Sequence, residues 1–261
     1  MSSGRLEAAL RGARDGGRKL LVPYVTGGLR NDWADAVAAM AMAGADAIEI
    51  GIPFSDPVMD GPTIQEASAR ALERGATPTR VLEELVGMDA GVPLVAMTYY
   101  NLVFRAGHRR FASELARAGV CGAIVPDLPL EESGGWEADA ARAGVETVLL
   151  AAPVTPDDRL VAIAARSRGF VYAVGLMGVT GERDAVAASA GVLATRIKGI
   201  TDRPVLIGFG ISTPTHAVTA SRSADGVVVA SALMRRYLDG ASPEDLGAQV
   251  ADMRAALDAM P

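Results

Sequence analysis

The sequence predicts an α/β protein built as a (β/α)8 barrel, and three observations support this fold class. Short apolar runs rich in Val, Leu and Ile alternate with amphipathic helical segments along the 261 residues. Eight such runs fit into this length, and continuous apolar runs suit parallel strands that are buried on both faces. No GxGxxG motif follows the first run, which disfavours the structural runner-up, an open doubly wound sheet that binds a dinucleotide.

The predicted elements follow one another in the order that such a TIM barrel requires. Strands are expected near Leu20–Val25, Ala47–Ile50, Leu94–Met97, Ala123–Val125, Thr147–Leu150, Phe170–Val174, Val205–Ile207 and Val227–Val229. Helices are expected over Trp33–Ala43, Thr63–Glu73 with a continuation to Val86, Arg109–Ala118, Glu132–Ala143, Pro156–Ala165, Val186–Lys198, Pro214–Arg222 and Pro243–Met260. An extra N-terminal helix near Leu6–Arg14 is placed to cover the bottom of the barrel. Because no linker or low-complexity segment interrupts this pattern, we expect one domain over residues 1–261.

Composition and charge argue against a nucleic-acid-binding or membrane protein. The net charge is −6, whereas binding to nucleic acid requires a basic face. No apolar run approaches the ~20 residues of a membrane-spanning helix, and the charged N-terminus does not resemble a secretory signal. The single cysteine, Cys121, cannot form an internal disulfide, so we expect a cytoplasmic protein.

Glu49 is a carboxylate inside an otherwise apolar predicted strand. Side chains alternate between the two faces of a strand, so Glu49 lies on the face opposite Ile48 and Ile50. An unpaired charge on a buried face costs several kcal/mol unless the protein uses it. The strand alone therefore leaves two interpretations open, namely a working acid or base and one half of a structural ion pair.

Other candidate side chains lie on the loops that follow the strands, where barrels of this kind carry their active sites. Asp56 and Asp60 follow strand 2 and Asp127 follows strand 4, although each could also simply form a turn. The two histidines are isolated from any cluster of metal-ligating residues, so we expect no metal site.

The loops after strands 7 and 8 carry a pattern that is typical of phosphate binding. Gly208 and Gly210 follow strand 7, and Ala230 and Ser231 follow strand 8, where Ser231–Tyr237 can form a short extra helix. Barrels commonly hold phosphate at these two loops, because glycines allow close backbone approach and a helix N-terminus attracts anions. The sequence therefore predicts a short phosphate-binding helix after strand 8.

Five motifs together resemble one enzyme family, the tryptophan synthase α-subunits. In chain order they are IEIGIPFSDPVMDGPTIQ at 48–65, TYYNLVF at 98–104, PDLPLEES at 126–133, GVTG at 178–181 and GFGIS at 208–212. The resemblance extends from about Leu20 to Arg235. It implies a barrel that cleaves indole-3-glycerol phosphate to indole and glyceraldehyde 3-phosphate by a retro-aldol reaction, without a metal or cofactor of its own. It also implies a pyridoxal-phosphate β-subunit as partner in an α2β2 heterotetramer.

The resemblance also implies roles for individual residues. Glu49 is the acid/base that serves the indole C3 and the side-chain hydroxyl, and Asp60 hydrogen-bonds the indole N–H. Thr180 closes over the site and interacts with Asp60. The residues expected around the indole are Tyr24, Met97, Ile124, Leu150 and Tyr172. The residues expected at the phosphate are Gly181, Gly210, Ala230 and Ser231. The residues expected to face the β-subunit are Pro53, Asp56 and Asn101.

Three positions depart from the commoner family pattern. Tyr24 replaces a frequent Phe and adds a hydroxyl that needs a partner. Met177 stands where a small hydroxyl residue is common, and Ala230 stands where Gly usually precedes the phosphate-binding Ser. Two other functions stay open, namely a stand-alone indole-3-glycerol phosphate lyase of a secondary pathway and a weakly active regulatory partner of a β-like subunit.

Overall fold

Eight parallel strands close into a barrel in this computed structural model, which describes residues 4–175, 183–208 and 210–260. Each strand pairs with the next along the chain, and β8 pairs with β1. The strands are β1 (Leu20–Thr26), β2 (Ile48–Gly51), β3 (Leu94–Met97), β4 (Val120–Ile124), β5 (Glu146–Ala151), β6 (Val171–Ala173), β7 (Val205–Ile207) and β8 (Gly226–Val229). The predicted (β/α)8 barrel is thus confirmed, with β4 beginning three residues earlier than expected.

Helices surround the barrel on its outer side. Before and between the first four strands lie α1 (Arg5–Asp15), α2 (Trp33–Met42), α3 (Pro62–Glu73), α4 (Pro78–Leu85), α5 (Tyr100–Ala106) and α6 (His108–Arg117). The remaining helices are α7 (Gly134–Arg142), α8 (Asp157–Arg166), α9 (Arg183–Lys198), α10 (Pro214–Ser221), α11 (Ser231–Leu238) and α12 (Pro243–Asp258). Among the residues that the structure describes, no helix has the length and apolar character needed to cross a membrane.

The predicted continuation of the helix Thr63–Glu73 to Val86 is wrong. The helix α3 ends at Glu73, and a separate helix, α4, begins at Pro78. Gly75 adopts a left-handed backbone with φ 83°, a conformation that glycine accepts without strain. The Thr77 hydroxyl then accepts a hydrogen bond from the Arg80 N–H at 3.2 Å and caps the start of α4. A capping threonine followed by a first-turn proline is a signal for a new helix.

The short helix α5 was not predicted from the sequence. The helix begins at Tyr100, whose backbone N–H donates a hydrogen bond to the Asp127 Oδ1 at 2.8 Å. Asp127 lies on the loop after the neighbouring strand β4, so the carboxylate that stabilises this helix start comes from a distant part of the chain. Asp127 itself lies in the turn after β4, and its carboxylate holds the start of α5.

Side chains from alternate strand positions fill the interior of the barrel. The interior residues are Leu20, Val22, Ala47, Val95, Ile124, Val148, Phe170, Tyr172, Leu206 and Val228. Leu6 and Leu10 of α1 belong to the same cluster. The Glu146 carboxylate, at the start of β5, accepts hydrogen bonds from the backbone N–H groups of Leu6 at 2.6 Å and Glu7 at 3.0 Å. Helix α1 therefore covers the N-terminal ends of the strands, as predicted, and leaves the opposite end for the site.

Candidate active site

Glu49 points into the barrel near the C-terminal end of β2. Its register neighbours are Tyr24 on β1 and Val95 on β3, and Val95 belongs to the interior cluster. The residue is 4 % exposed, and its Oε2 atom has no hydrogen-bond partner among the residues that the structure describes. Across the part of the chain that the structure describes, no cation pairs with this carboxyl group. Of the two interpretations that the strand left open, the geometry favours the working acid or base.

The two predicted catalytic carboxyl groups lie within electrostatic reach of each other and have different pKa values. Burial, followed by the charge of Asp60, raises the pKa of Glu49 from 4.5 to about 8. Burial raises the pKa of Asp60 from 3.8 to about 6, and an interaction with the Tyr99 hydroxyl opposes that rise. Near neutral pH the Glu49 side chain is therefore mainly protonated while Asp60 is mainly ionised. One group can give a proton and the other can stabilise a positive charge, which is how environment assigns roles to paired carboxyl groups.

Tyr24 and Tyr172 place their hydroxyl groups against two glycines. A β-carbon on Gly51 would lie 1.8 Å from the Tyr24 Oη, and one on Gly208 would lie 2.0 Å from the Tyr172 Oη. Both tyrosines are buried. The charges of Asp60 and Glu49 act on both hydroxyl groups. The structure therefore brings these two predicted substrate-binding tyrosines to the same end of the barrel as the two carboxyl groups.

Tyr99 is a site residue to which the sequence analysis assigned no role. Its ring stacks on Phe54, with centroids 5.0 Å apart and an angle of 23° between planes. Its Oη accepts a hydrogen bond from the Met59 backbone N–H at 3.1 Å, and the hydroxyl interacts with Asp60. Tyr99 thereby contacts the loop that carries Asp60 at two points, Phe54 and Met59. The position just after strand 3 was the available signal, because barrel sites are built at strand ends.

The apolar residues expected around the indole line the same interior. Ile124 is buried within the interior cluster, and Met97 and Leu150 are partly buried side chains packed against it. The pairing of β3 with β4 places Met97 beside Ile124. These side chains form an apolar wall that a flat aromatic ring can contact.

The predicted phosphate site is described in part. Gly210 adopts a left-handed backbone with φ 75°, and a β-carbon there would meet no atom of the described residues within 4 Å. Glycine is therefore used at this position for its backbone conformation rather than for space. Ala230 and Ser231 stand at the start of the eight-residue helix α11, which confirms the short helix after strand 8. Thr180 and Gly181, together with Met177, lie outside the described residues.

Comparisons with known proteins identify the family. The family model of the tryptophan synthase alpha chain matches residues 10–258. This chain belongs to that family. It is 43 % identical to the tryptophan synthase alpha chain of Microcystis aeruginosa over 240 residues, covering 90 % of each chain. It is 42 % identical to the Halorhodospira halophila tryptophan synthase alpha chain over 258 residues, covering 97 % of this chain and 94 % of the relative.

A solved structure of Mycobacterium tuberculosis tryptophan synthase supports the same assignment. Its matching chain superposes with a TM-score of 0.90 at 36 % identity, covering 98 % of this chain and 99 % of that chain. The resemblance that the sequence motifs indicated is thus confirmed over nearly the whole length of the tryptophan synthase alpha fold.

Two of the departures from the commoner tryptophan synthase alpha pattern are resolved by the geometry. The Tyr24 hydroxyl finds a partner in Thr26, whose Oγ1 donates to it at 3.2 Å. Ala230 has a negative φ of −117°, so this position does not use the left-handed backbone that favours glycine. Its effect on a bound phosphate stays a prediction.

The three predicted partner-facing residues differ in exposure. Asp56 and Asn101 are exposed, whereas Pro53 is buried. Near them in the chain lie three exposed apolar side chains, Val58 (73 %), Met59 (52 %) and Phe104 (68 %). Exposed large apolar side chains that form a contiguous patch mark interaction sites. In the described part of the chain, no group of His, Cys, Asp and Glu side chains is arranged to hold a metal ion.

Proposed function

We propose that this chain is a tryptophan synthase α-subunit that cleaves indole-3-glycerol phosphate into indole and glyceraldehyde 3-phosphate. The observation that carries the proposal is the buried Glu49 carboxyl group, which pairs with no cation among the described residues, beside Asp60 at the C-terminal end of the barrel. A carboxyl group with a pKa of about 8 can both give and take a proton near neutral pH. The family assignment supplies the substrate class.

The proposed reaction uses Glu49 twice. Its carboxyl proton is added to C3 of the indole ring, which leaves a positive charge shared with the ring nitrogen. The ionised Asp60 accepts a hydrogen bond from the ring N–H and stabilises this cation in a site with little water. Glu49, now ionised, then removes the proton of the side-chain hydroxyl next to the ring.

The carbon–carbon bond breaks as that hydroxyl loses its proton. The electron pair of the bond returns to the indole ring and neutralises the cation, while the hydroxyl-bearing carbon becomes the aldehyde. Glu49 ends the cycle protonated, as it began, so protons and electrons balance. A positioned proton-transfer group contributes roughly 10²–10⁴-fold to such a reaction.

The phosphate of the substrate is proposed to lie at the start of α11. Backbone N–H groups at Ala230 and Ser231, with those near Gly210, offer donors and the positive end of a helix dipole. Tyr24, Met97, Ile124, Leu150 and Tyr172 would contact the ring.

A tryptophan synthase β-subunit is the proposed partner, in an α2β2 assembly. The support is the exposed apolar set Val58, Met59 and Phe104, whose members are near the predicted contact residues Asp56 and Asn101 in the chain. Since Met59 adjoins Asp60 and hydrogen-bonds Tyr99, a partner seated on this surface would contact the loop that carries a catalytic carboxylate. Such a contact would couple binding of the partner to the arrangement of the site.

The test is an assay of indole release from indole-3-glycerol phosphate by the purified chain, with and without a tryptophan synthase β-subunit. We expect cleavage that rises at least several-fold when the β-subunit is added. Replacement of Glu49 with Gln should reduce the rate at least ~10²-fold with an unchanged circular dichroism spectrum. Substantial turnover by that variant would refute the assignment of Glu49. Full activity without a β-subunit would favour a stand-alone lyase.

A further inference from the structure

The backbone around Asp60 is bound by one side chain just before this residue and by another just after it. Before it, the Met59 N–H donates a hydrogen bond to the Tyr99 Oη at 3.1 Å. After it, the Gln65 Nε2 donates to the carbonyl oxygen of Asp60 at 2.9 Å. The direction of both bonds is fixed, because a backbone N–H can only donate and a carbonyl oxygen can only accept.

Tyr99 is a rigid anchor for the first of these bonds. The residue follows β3, is 2 % exposed, and stacks its ring on Phe54 with the centroids 5.0 Å apart. A buried tyrosine held in this way has little freedom to follow a moving loop. The position of the Met59 N–H is therefore fixed relative to the barrel.

Gln65 is the anchor for the second bond, and it stands on a different element. It lies in the first turns of the 12-residue helix α3, where its own N–H donates to the Gly61 carbonyl at 3.0 Å. The side chain is exposed, so water could satisfy its amide group. It nevertheless reaches back past the start of the helix to the residue that carries the catalytic carboxylate.

Asp60 is thus bound through both of its own backbone groups. Its N–H donates to the Pro57 carbonyl at 3.0 Å, and its carbonyl oxygen accepts from Gln65. The rotamers open to a side chain depend on its backbone angles. Fixing the backbone on both sides therefore restricts the directions in which the Asp60 carboxylate can point.

We propose that Gln65 is a positioning residue that, together with Tyr99, clamps the backbone around Asp60 and so holds the Asp60 carboxylate in its working direction. The inference rests on the function proposed above, in which Asp60 stabilises the cationic indole ring. A group that acts on a reacting ring loses much of its effect when it is displaced by about 1 Å. The alternative is that Gln65 only stabilises the start of α3, and the two interpretations make different predictions.

The first experiment follows the exchange of the Met59 amide proton by NMR in ¹⁵N-labelled protein. Gln65→Met removes the donor from an exposed position while keeping an unbranched side chain of similar length. If the clamp acts as a unit, loss of the Gln65 bond should also open the Met59 bond on the other side of Asp60. We expect the Met59 N–H to exchange roughly fivefold faster, which corresponds to the loss of one hydrogen bond.

Two further variants set the scale of this measurement. Tyr99→Phe removes the acceptor itself and gives the exchange rate of a released Met59 N–H. Gln65→Glu places an ionised carboxylate against the Asp60 carbonyl oxygen, so it should accelerate exchange at least as much as Gln65→Met. Unchanged Met59 exchange in both Gln65 variants would overturn the proposal, because Gln65 would then act on α3 alone.

The second experiment is steady-state kinetics with indole-3-glycerol phosphate. The cationic ring forms only after protonation of C3, so a misdirected Asp60 should slow turnover more than it weakens substrate binding. We expect kcat of Gln65→Met to fall roughly tenfold while KM stays within about twofold of the wild-type value. An unchanged kcat would overturn the proposal, as would a rise in KM without a loss of kcat.

Thr77→Ala is the matched control. Thr77 also makes a hydrogen bond at the start of a helix, since its hydroxyl accepts from the Arg80 N–H at 3.2 Å, but it caps α4 and not the Asp60 loop. It should leave both Met59 exchange and kcat within about twofold of wild type. A loss of kcat equal to that of Gln65→Met would mean that any weakened helix start has this effect, and would refute the inference.

The exchange measurement does not depend on turnover. If the wild-type chain fails to cleave indole-3-glycerol phosphate, the proposed function falls, while Met59 exchange still decides whether Gln65 and Tyr99 act as one clamp. If the wild type cleaves the substrate and Gln65→Met changes neither exchange nor kcat, the function stands and this inference falls.

Discussion

Replacing Glu49 with Gln should make the protein more stable than wild type in alkaline solution while it destroys the proposed activity. The wild-type carboxyl group has a pKa of about 8 in the folded chain, against an ordinary value of 4.5. The folded state therefore holds its proton more tightly than the unfolded state, and stability falls as the pH rises from 4.5 to 8. A glutamine at this position has no proton to lose, so the variant escapes this loss.

The size of the effect follows from the two pKa values. Below pH 4.5 both states are protonated and the group contributes no difference. Linkage between 4.5 and about 8 gives a wild-type penalty of about 1 kcal/mol at pH 5, about 3 kcal/mol at pH 7 and about 5 kcal/mol at pH 9. Asp60 also has a raised pKa, but it is present in both proteins, and its contribution largely cancels in the comparison.

The assay is urea unfolding followed by circular dichroism at these three pH values for the wild type and Glu49→Gln. We expect the difference in unfolding free energy to grow with pH in favour of the variant. Glu73→Gln, which changes an exposed glutamate at the end of α3, is the matched control and should run parallel to the wild type. Parallel curves for Glu49→Gln would mean that Glu49 is not held protonated, and would refute the reasoning on which the proton-transfer role depends.

Three further changes test other parts of the site and fold. Ser231→Asp should raise KM for indole-3-glycerol phosphate at least ~10-fold by charge repulsion, measured by initial rates, and an unchanged KM would move the phosphate elsewhere. Gly51→Ala should lower the free energy of unfolding by about 1–3 kcal/mol because its methyl group collides with Tyr24. Gly12→Ala, whose methyl group meets no described atom, should stabilise α1 by about 0.5–1 kcal/mol. Equal urea midpoints for the two variants would contradict this. Glu146→Gln should lower stability by about 1 kcal/mol, since an amide oxygen replaces a carboxylate that accepts two backbone N–H groups.

Local patterns along the chain were sufficient to predict the barrel and the place of its site. Short apolar runs separated by helical segments indicate parallel strands, because such strands are covered on both faces. Glu49 stood out for the same reason, since a carboxylate in an apolar run is costly without a use. The motifs around Glu49 then indicated the family and, through it, the reaction.

The boundaries of several elements depended on contacts that no local pattern contains. Helix α5 begins where Asp127, from a loop 27 residues further along the chain, accepts the Tyr100 N–H. The break between α3 and α4 combines a left-handed Gly75 with a Thr77 cap. The prediction relied on helix propensity alone and therefore continued one helix through residues where the structure has two.

The electrostatic character of the site was likewise decided by tertiary structure. The sequence by itself determined which carboxyl groups, tyrosines and glycines the chain carries and at which strand ends they stand. Closure of the barrel decided that Glu49 is buried with no cationic partner in the described part of the chain, that Tyr99 holds the Asp60 loop and that Tyr24 fits over Gly51. A pKa depends on the water removed and the charges brought near, and both come from strands that are distant in the chain and adjacent only in the closed barrel.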